Sequence, residues 1–275
     1  MKNLLFTLIA VGLTTFCFGQ SDTIYSNNLK IACAVKEITP EAVKFTYPGE
    51  DVVNSFYKNT VQKIVFKSGR VQTFAEATSF KTVAGANDFE NVTISQVQGE
   101  VSGLFKLGEV SAKAKGTTAF ANQERVKERA YRKLKIQAAM MGGNIVYLID
   151  QRTQGNKFGT NYQAAETAET NLTGVAYTNQ LPAYDDFVKF IGDKRNLVTV
   201  AAVKLWSSAS DLSYIAAYKK FAINSITNDN GLIMLDGKLE DEKNYTKFRV
   251  VSFSNEYFVI YYEDKSTAYN LTISL

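Results

Sequence analysis

By type and spacing, the residues that could best support catalysis or metal binding are acidic. Asp185 and Asp186 are adjacent, and paired carboxylates can act as general acid and general base. In a short helix neighbouring residues point about 100° apart, so these two do not converge on one substrate. A second acidic group surrounds two glycine turns and comprises Asp229, Asp236, Glu240, Asp241 and Glu242. The spacing of these residues does not match that of a calcium-binding loop. Hairpin turns explain the group better, so the sequence indicates no metal site.

The chain contains no histidine, which excludes Ser-His-Asp and Cys-His catalysis and metal sites built on imidazole. It has no nucleophile elbow, phosphate-binding loop or dinucleotide fingerprint, so the sequence indicates no catalytic residue and no cofactor. Catalysis by a serine–lysine pair stays open. Cys33 lies in the apolar run 31–35, where we expect it to be a small buried hydrophobe.

One basic stretch could recognise an anionic partner. Between positions 124 and 135 two glutamates are outnumbered by Arg125, Lys127, Arg129, Arg132, Lys133 and Lys135. A solvated helix face is the simpler interpretation, and we favour it. The single tryptophan, Trp206, is either core or a ligand contact. The sequence therefore offers one candidate interaction surface, which consists of Arg125, Arg129, Arg132, Lys133 and Trp206.

The first nineteen residues have the three parts of a signal peptide. Lys2 supplies the positive region, 4–16 is apolar, and Cys17-Phe18-Gly19 is a small-x-small cleavage site. Thirteen apolar residues are too few to span a hydrocarbon core of roughly 30 Å. An uncleaved anchor and lipidation at Cys17 are the alternatives, but Phe16 stands where a lipobox requires a small residue. We expect cleavage between Gly19 and Gln20 and a periplasmic or secreted protein, not a lipoprotein.

The composition is typical of strand-rich structure. Fifteen tyrosines and eighteen phenylalanines stand against three prolines, and aromatic side chains pack well on pleated surfaces. The net charge of +4 is small and spread along the chain, so it indicates neither nucleic acid nor anionic lipid as a partner. After signal cleavage we expect no membrane-spanning segment.

Residues 22–82 predict a small all-β unit. Tight turns at Pro40 and Gly69 separate short strands, and 48–59 is expected to be a longer connection with a helical turn at 52–57. The expected strands are 23–25, 29–38, 42–47, 61–67 and 71–75. Five short strands with tight turns resemble a small barrel of the SH3 or Sm-like kind.

Residues 84–180 predict an α/β unit with one main helix at 122–141. Asn122 is a good N-cap, Gly142-Gly143 ends the helix, and an i,i+4 pair joins Glu128 to Arg132. The apolar stripe of this helix consists of Val126, Ala130, Leu134, Ala138 and Met141. Around it the sequence predicts strands at 91–97, 145–149 and 172–178, a strand pair in 100–116 and a mobile polar loop at 151–171.

The helix–Gly-Gly-Asn–strand junction at 134–146 resembles that of small bacterial envelope domains. These are the RcsF-type stress-sensor lipoproteins and the YbjQ-like proteins, which are described as heavy-metal-binding. The resemblance implies an α/β sandwich fold and an envelope setting. The RcsF-type proteins are lipidated and carry disulfides, whereas this chain has no lipobox and keeps only Cys33 after cleavage. The resemblance therefore implies no activity for this chain.

Residues 181–195 predict a linker helix and 196–275 an antiparallel meander. The helix begins after Pro182, ends at Gly192 and has an apolar side formed by Tyr184, Phe187, Phe190 and Ile191. The expected strands of the meander are 198–205, 219–226, 232–239, 247–253, 257–262 and 269–275.

These predictions describe an α+β, strand-rich chain with a small β-barrel-like N-terminal unit, an α/β middle unit and an antiparallel β C-terminal unit. We expect a non-catalytic binding or scaffolding protein of the bacterial envelope, whose partner is an envelope protein or a polyanionic surface. Two alternatives stay open: a histidine-independent hydrolase that uses carboxylates on a carbohydrate, and an envelope stress or metal sensor. A hydrolase requires two acidic side chains about 5–9.5 Å apart. A binding module instead exposes an apolar or aromatic patch.

Overall fold

The computed structural model describes residues 21–26, 29–74, 80–118, 121–155 and 166–275. The expected cleavage site at Gly19 and Gln20 lies outside these ranges, as do residues 156–165 of the loop expected at 151–171. The bounds of that loop are wrong, because 151–154 and 169–171 belong to two paired strands. Strands dominate and form sheets of six, four and seven strands, so the strand-rich prediction is confirmed. No helix within the described ranges is long and apolar enough to cross a bilayer. Contacts divide the chain into two units, 1–76 and 77–275.

The first unit is a six-stranded antiparallel sheet with the order β4-β3-β2-β1-β5-β6. Its strands are β1 (Asp22–Ser26), β2 (Leu29–Ile38), β3 (Ala42–Thr46), β4 (Asn54–Tyr57), β5 (Val61–Val65) and β6 (Val71–Thr73). The helical turn expected at 52–57 is wrong, because 54–57 pairs with β3 as a strand. This pairing places Phe56 against Phe45, with ring centroids 4.9 Å apart, and so adds Phe56 to the apolar core.

Strand β2 changes its pairing partner along its length. Its first half pairs with β1 and its second half with β3, and a bulge lies between Val35 and Glu37. The carboxylate of Asp22 links β2 to the segment after β5, because it accepts hydrogen bonds of 2.8 Å from the backbone amides of Val35 and Lys67. Cys33 is 1% exposed in the core, as the sequence predicts, and burial raises the pKa of its thiol to about 11.

The second unit begins with a four-stranded sheet and one long helix. The elements are β7 (Thr93–Ser95), β8 (Phe105–Lys115), α1 (Gln123–Met140), β9 (Ile145–Gln154) and β10 (Glu169–Thr178), and the strand order is β7-β9-β10-β8. The strand pair expected in 100–116 is wrong, since 105–115 is one uninterrupted strand that pairs with β10 along its length. A 3-10 turn at Ala86–Asn91 shortens the strand expected at 91–97.

Helix α1 begins and ends where the sequence predicts. The side chain of Asn122 accepts a hydrogen bond from the Arg125 amide, and Gly142 ends the helix with a φ of 82°. The whole predicted apolar stripe is buried against the four-stranded sheet. A second buried face, which contains Ile136 and Met140, packs on the next sheet, so α1 lies between two sheets.

The C-terminal strands form a closed antiparallel sheet. They are β11 (Asn196–Trp206), β12 (Ser213–Tyr214), β13 (Lys220–Asp229), β14 (Leu232–Leu239), β15 (Lys247–Phe253), β16 (Tyr257–Asp264) and β17 (Thr267–Ser274). The sheet closes because β11 pairs with β13 at its start and with β17 along the rest of its length. The six predicted strands are present with ends shifted by at most three residues, but their closure was not predicted.

Helix α2 (Tyr184–Ile191) packs against the end of the closed sheet that carries the β15–β16 turn. The Phe187 ring contacts Phe253 and Phe258, with centroid distances of 5.4 and 5.5 Å. The Tyr184 hydroxyl donates to the backbone carbonyl of Ile226 at 3.2 Å. The predicted apolar side of this helix is thus part of the core of the closed sheet.

Arg249 joins the two sheets of the second unit. This side chain on β15 is buried and donates to the carbonyls of Leu107 (3.1 Å) and Met141 (2.9 Å). The guanidinium also lies over the Tyr261 ring, 5.0 Å from its centroid. Met141 follows the last turn of α1, where a positive charge is favourable because the helix dipole is negative there.

Candidate binding site

The end of the closed sheet opposite α2 carries aromatic and charged side chains in three aligned strands. Residues directly opposite each other on paired strands share a face, and positions two apart share it too. The pairings of β11, β17 and β16 give three inward rows, which from core to rim are Ala202–Leu271–Ile260, Lys204–Tyr269–Tyr262 and Trp206–Thr267–Asp264. We call this end the mouth and define it by Lys204, Trp206, Glu242, Tyr245, Tyr262, Asp264, Thr267 and Tyr269.

Three tyrosine rings of the mouth are in contact. Tyr262 and Tyr269 stack with centroids 4.7 Å apart and planes 8° from parallel. Tyr245 lies in the β14–β15 loop and contacts Tyr262 at 5.7 Å, while the core ring of Phe248 meets Tyr262 edge-on at 5.3 Å. Such contacts are worth about 0.5–1.5 kcal/mol each beyond burial, so they fix the orientation of the rings.

Accessibility increases from the core to the rim of the mouth. Tyr262 is 6% exposed and belongs to the core of the closed sheet. Tyr245 and Tyr269 are half-buried, and Trp206 is 43% exposed. A ligand can therefore reach the tyrosine and tryptophan rings at the rim without opening the fold.

Charged groups lie beside these rings. The Lys204 ammonium is 4.1 Å from the centroid of the Trp206 ring. Burial raises the pKa of Tyr262 and of Tyr269 above the ordinary tyrosine value, and the carboxylates of Glu242 and Asp264 raise both further. The two phenols therefore stay protonated and neutral at physiological pH, next to two negative charges.

Two loops beside the mouth contain more acidic than basic side chains. The segments 240–246 and 263–266 contain two lysines, Lys243 and Lys265, against Glu240, Asp241, Glu242, Glu263 and Asp264. Three of these carboxylates are engaged elsewhere: Glu240 accepts from the Lys220 amide, Asp241 pairs with the Lys219 ammonium at 3.5 Å, and Glu263 accepts from the Tyr261 hydroxyl. Within the part of the chain that the structure describes, no basic side chain lies within 4.0 Å of the Glu242 or Asp264 carboxylate.

The residues of the predicted interaction surface do not form one patch. Arg125 and Arg129 are exposed near the start of α1, and Arg129 donates to the backbone carbonyl of Lys115 at 2.8 Å. Trp206 belongs to the mouth. The remaining two residues, Arg132 and Lys133, hold α1 to other segments of the second unit.

Arg132 and Lys133 contact the segment that follows β11. Arg132 pairs with Glu90 (3.3 Å) and with Asp211 (3.1 Å), so the i,i+4 pair expected with Glu128 is replaced by these longer-range pairs. Lys133 is buried, burial lowers its pKa, and its ammonium donates to the carbonyl of Ser207. Lys133 is therefore no part of an exposed surface, because α1 is covered on two sides.

The acidic groups noted in the sequence have structural positions. Asp185 and Asp186 lie in the first turn of α2, where negative charge favours the helix. Asp236 accepts from the Asn224 side-chain amide at 3.1 Å within the β13–β14 pair. The described residues contain no group of three or more acidic or cysteine side chains placed to hold a metal ion.

Sequence reasoning found Trp206 but missed the tyrosines of the mouth. The available signal was the alternation at one hairpin, where Tyr262 and Asp264 precede a turn and Thr267 and Tyr269 follow it. Their partners on β11 could not be identified, because the β11–β17 pairing joins segments more than sixty residues apart. Searches against family models, curated proteins and solved structures found no match.

Proposed function

We propose that this is a non-catalytic binding protein of the bacterial envelope and that the mouth is its ligand site. The observation that carries the proposal is the register of β11, β16 and β17, which places Trp206, Tyr262 and Tyr269 at one end of a closed sheet. Ligand sites combine aromatic walls with a few polar groups, and they are often found at the ends of closed sheets. Tyrosine and tryptophan also lose little conformational entropy when they bind.

Buried hydrogen bonds hold strand β17 of the mouth in place. Asn270 on β17 donates to the Met140 carbonyl and accepts from the Ala86 amide, both at 2.9 Å. These buried hydrogen bonds fix the strand that carries Tyr269 against α1. A site whose rings are positioned before binding loses less entropy on complex formation, which favours a binding role.

A thermal-shift screen of sugars, nucleosides, amines and amino acids tests the proposal. The wild type is compared with Tyr269→Leu, and Tyr257→Leu serves as control because Tyr257 lies at the opposite end of the hairpin and is 41% exposed. We expect at least one compound to stabilise the wild type and Tyr257→Leu but not Tyr269→Leu. If every stabilising compound acts equally on all three proteins, the mouth is not the ligand site. The same holds if no compound stabilises the wild type.

One observation favours a second candidate, a histidine-independent carbohydrate hydrolase. Glu242 and Asp264 are two carboxylates beside the same aromatic rings, and glycoside hydrolysis uses such pairs. Mass spectrometry of each stabilising compound after long incubation separates the candidates. A binding protein returns the compound unchanged. A hydrolase yields cleaved product, and Glu242→Gln abolishes it.

The envelope location is a separate proposal, supported by the charged, apolar and small-residue parts of the first nineteen residues. Fractionation of the native host followed by intact-mass measurement tests it. We expect a periplasmic or released protein whose mass corresponds to a chain that begins at Gln20. A cytosolic protein that retains Met1 would refute export, and a mass increased by lipid at Cys17 would replace cleavage with lipidation.

A further inference from the structure

The mouth differs in charge from the chain as a whole, which carries a net charge of +4. Inside the mouth two carboxylates, Glu242 and Asp264, stand against one ammonium group, that of Lys204. Two of the loops beside it, 240–246 and 263–266, also contain more acidic than basic side chains. A ligand with a positive group is therefore attracted to the two carboxylates inside the mouth, and an anion is repelled by them.

The aromatic rings add to this preference. The face of an aromatic ring is electronegative, and it attracts a cation that lies within about 6 Å of the ring centroid. The chain itself shows that the rim admits this contact, because the Lys204 ammonium lies over Trp206 at 4.1 Å. Tyr269 stacks on Tyr262 with one face, and as a half-buried residue it offers a second platform at the rim.

The two carboxylates lie near both stacked tyrosines. Glu242 and Asp264 are close enough to both Tyr262 and Tyr269 for their charges to disfavour ionisation of the two phenols. A cation beside Tyr269 would therefore meet at least one ring face and two carboxylates that form no ion pair with a basic side chain of the described residues. A neutral ligand would use the ring faces but leave the two carboxylates without a counter-charge.

From this arrangement, and resting on the proposed function of the mouth, we infer that the ligand carries an organic ammonium group, which binds between the Tyr269 ring and the carboxylates of Glu242 and Asp264. The contact needs a weakly hydrated cation, since a ring face cannot replace the hydration shell of a small metal ion. Alkylammonium and quaternary ammonium groups have this property.

The test uses tetramethylammonium as probe and neopentyl alcohol as its uncharged counterpart of similar size. Because Trp206 is the single tryptophan, its fluorescence reports on the rim directly. We expect tetramethylammonium to change the fluorescence of the wild type saturably, and neopentyl alcohol to bind at least about tenfold more weakly.

Three variants separate charge from packing. In Glu242→Gln/Asp264→Asn the affinity for tetramethylammonium should fall at least about tenfold, because both carboxylates are removed at nearly constant volume. Asp241→Asn is the matched control, since it lies on the same loop but pairs with Lys219, and should bind as the wild type does. In Lys204→Gln the affinity should rise, because the competing ammonium is removed.

The outcomes distinguish this inference from the proposed function. If neopentyl alcohol binds as tightly as tetramethylammonium, or if the double variant retains full affinity, the ligand is not a cation although the mouth still binds. If neither probe binds while library compounds stabilise the wild type through Tyr269, the inference is likewise overturned. Should the double variant fail to fold, sodium chloride titration of the wild type decides, because a charge-driven complex weakens between about 0.01 and 1 M salt.

Discussion

Arg249→Met is expected to cost the second unit a large part of its stability. Arg249 is 8% exposed, and its guanidinium is the hydrogen-bond donor to the buried carbonyls of Leu107 and Met141. Methionine keeps the apolar stem and a contact with Tyr261, so the substitution removes the charge and the donors with little change in packing.

The magnitude follows from the two lost hydrogen bonds. A bond to a charged donor contributes about 1.5–3 kcal/mol, and each acceptor left unsatisfied adds part of its desolvation cost. Because the charge is removed together with its donors, no unpaired ion stays buried. We therefore expect a loss of about 3–5 kcal/mol, which for a domain of this size lowers Tm by roughly 6–20 °C.

The assay is urea unfolding followed by Trp206 fluorescence, with Arg132→Met as control. Both arginines lie over an aromatic ring, 5.0 Å from Tyr261 for Arg249 and 4.3 Å from Phe89 for Arg132. Arg132 is partly exposed and forms surface ion pairs, so its loss should cost at most about 1 kcal/mol. Equal losses in the two variants, or less than about 1 kcal/mol for Arg249→Met, would refute the role of Arg249 in joining the sheets.

The further predictions concern Cys33, Phe187 and Asp22. Since burial raises the pKa of Cys33 from 9.0 to about 11, native protein at pH 8 should react with a thiol reagent far more slowly than urea-unfolded protein. The stabilising contribution of the neutral thiol is complete below pH 9.0 and is lost as pH rises through about 11, which urea titrations across that range would measure. Phe187→Ala should cost about 3–5 kcal/mol by urea unfolding, because the ring is fully buried at the end of the closed sheet. Asp22→Ala should accelerate hydrogen exchange of the Val35 and Lys67 amides, and unchanged rates would contradict their bonds to Asp22.

Local elements of the fold were predictable where the sequence carries local physical signals. Asn122, the glycines after α1 and the apolar stripe define the helix without reference to the rest of the chain. The turn at Asn230 and Gly231 is equally local, since both residues adopt positive φ values of 52° and 91°. The strands of the meander follow from alternation of buried and exposed positions.

Long-range pairing was not predictable from one sequence. Closure of the C-terminal sheet depends on contacts between 196–206 and 267–274, and nothing local identifies these strands as partners. The strand at 54–57 does not follow from the local pattern, because it depends on the pairing with β3 that packs Phe56 against the core. The mouth was missed for the same reason, because it exists only once β11, β16 and β17 are aligned.

The central claim is that ligands bind at the mouth and not at the basic start of α1. The most direct measurement is a two-dimensional NMR titration of the wild type with tetramethylammonium, or with the strongest compound from the thermal-shift screen. We predict that the indole N–H of Trp206 and the backbone amides next to Tyr262 and Tyr269 shift together and saturably. Shifts concentrated at Arg125 and Arg129, with the signals of the mouth unchanged, would contradict the account.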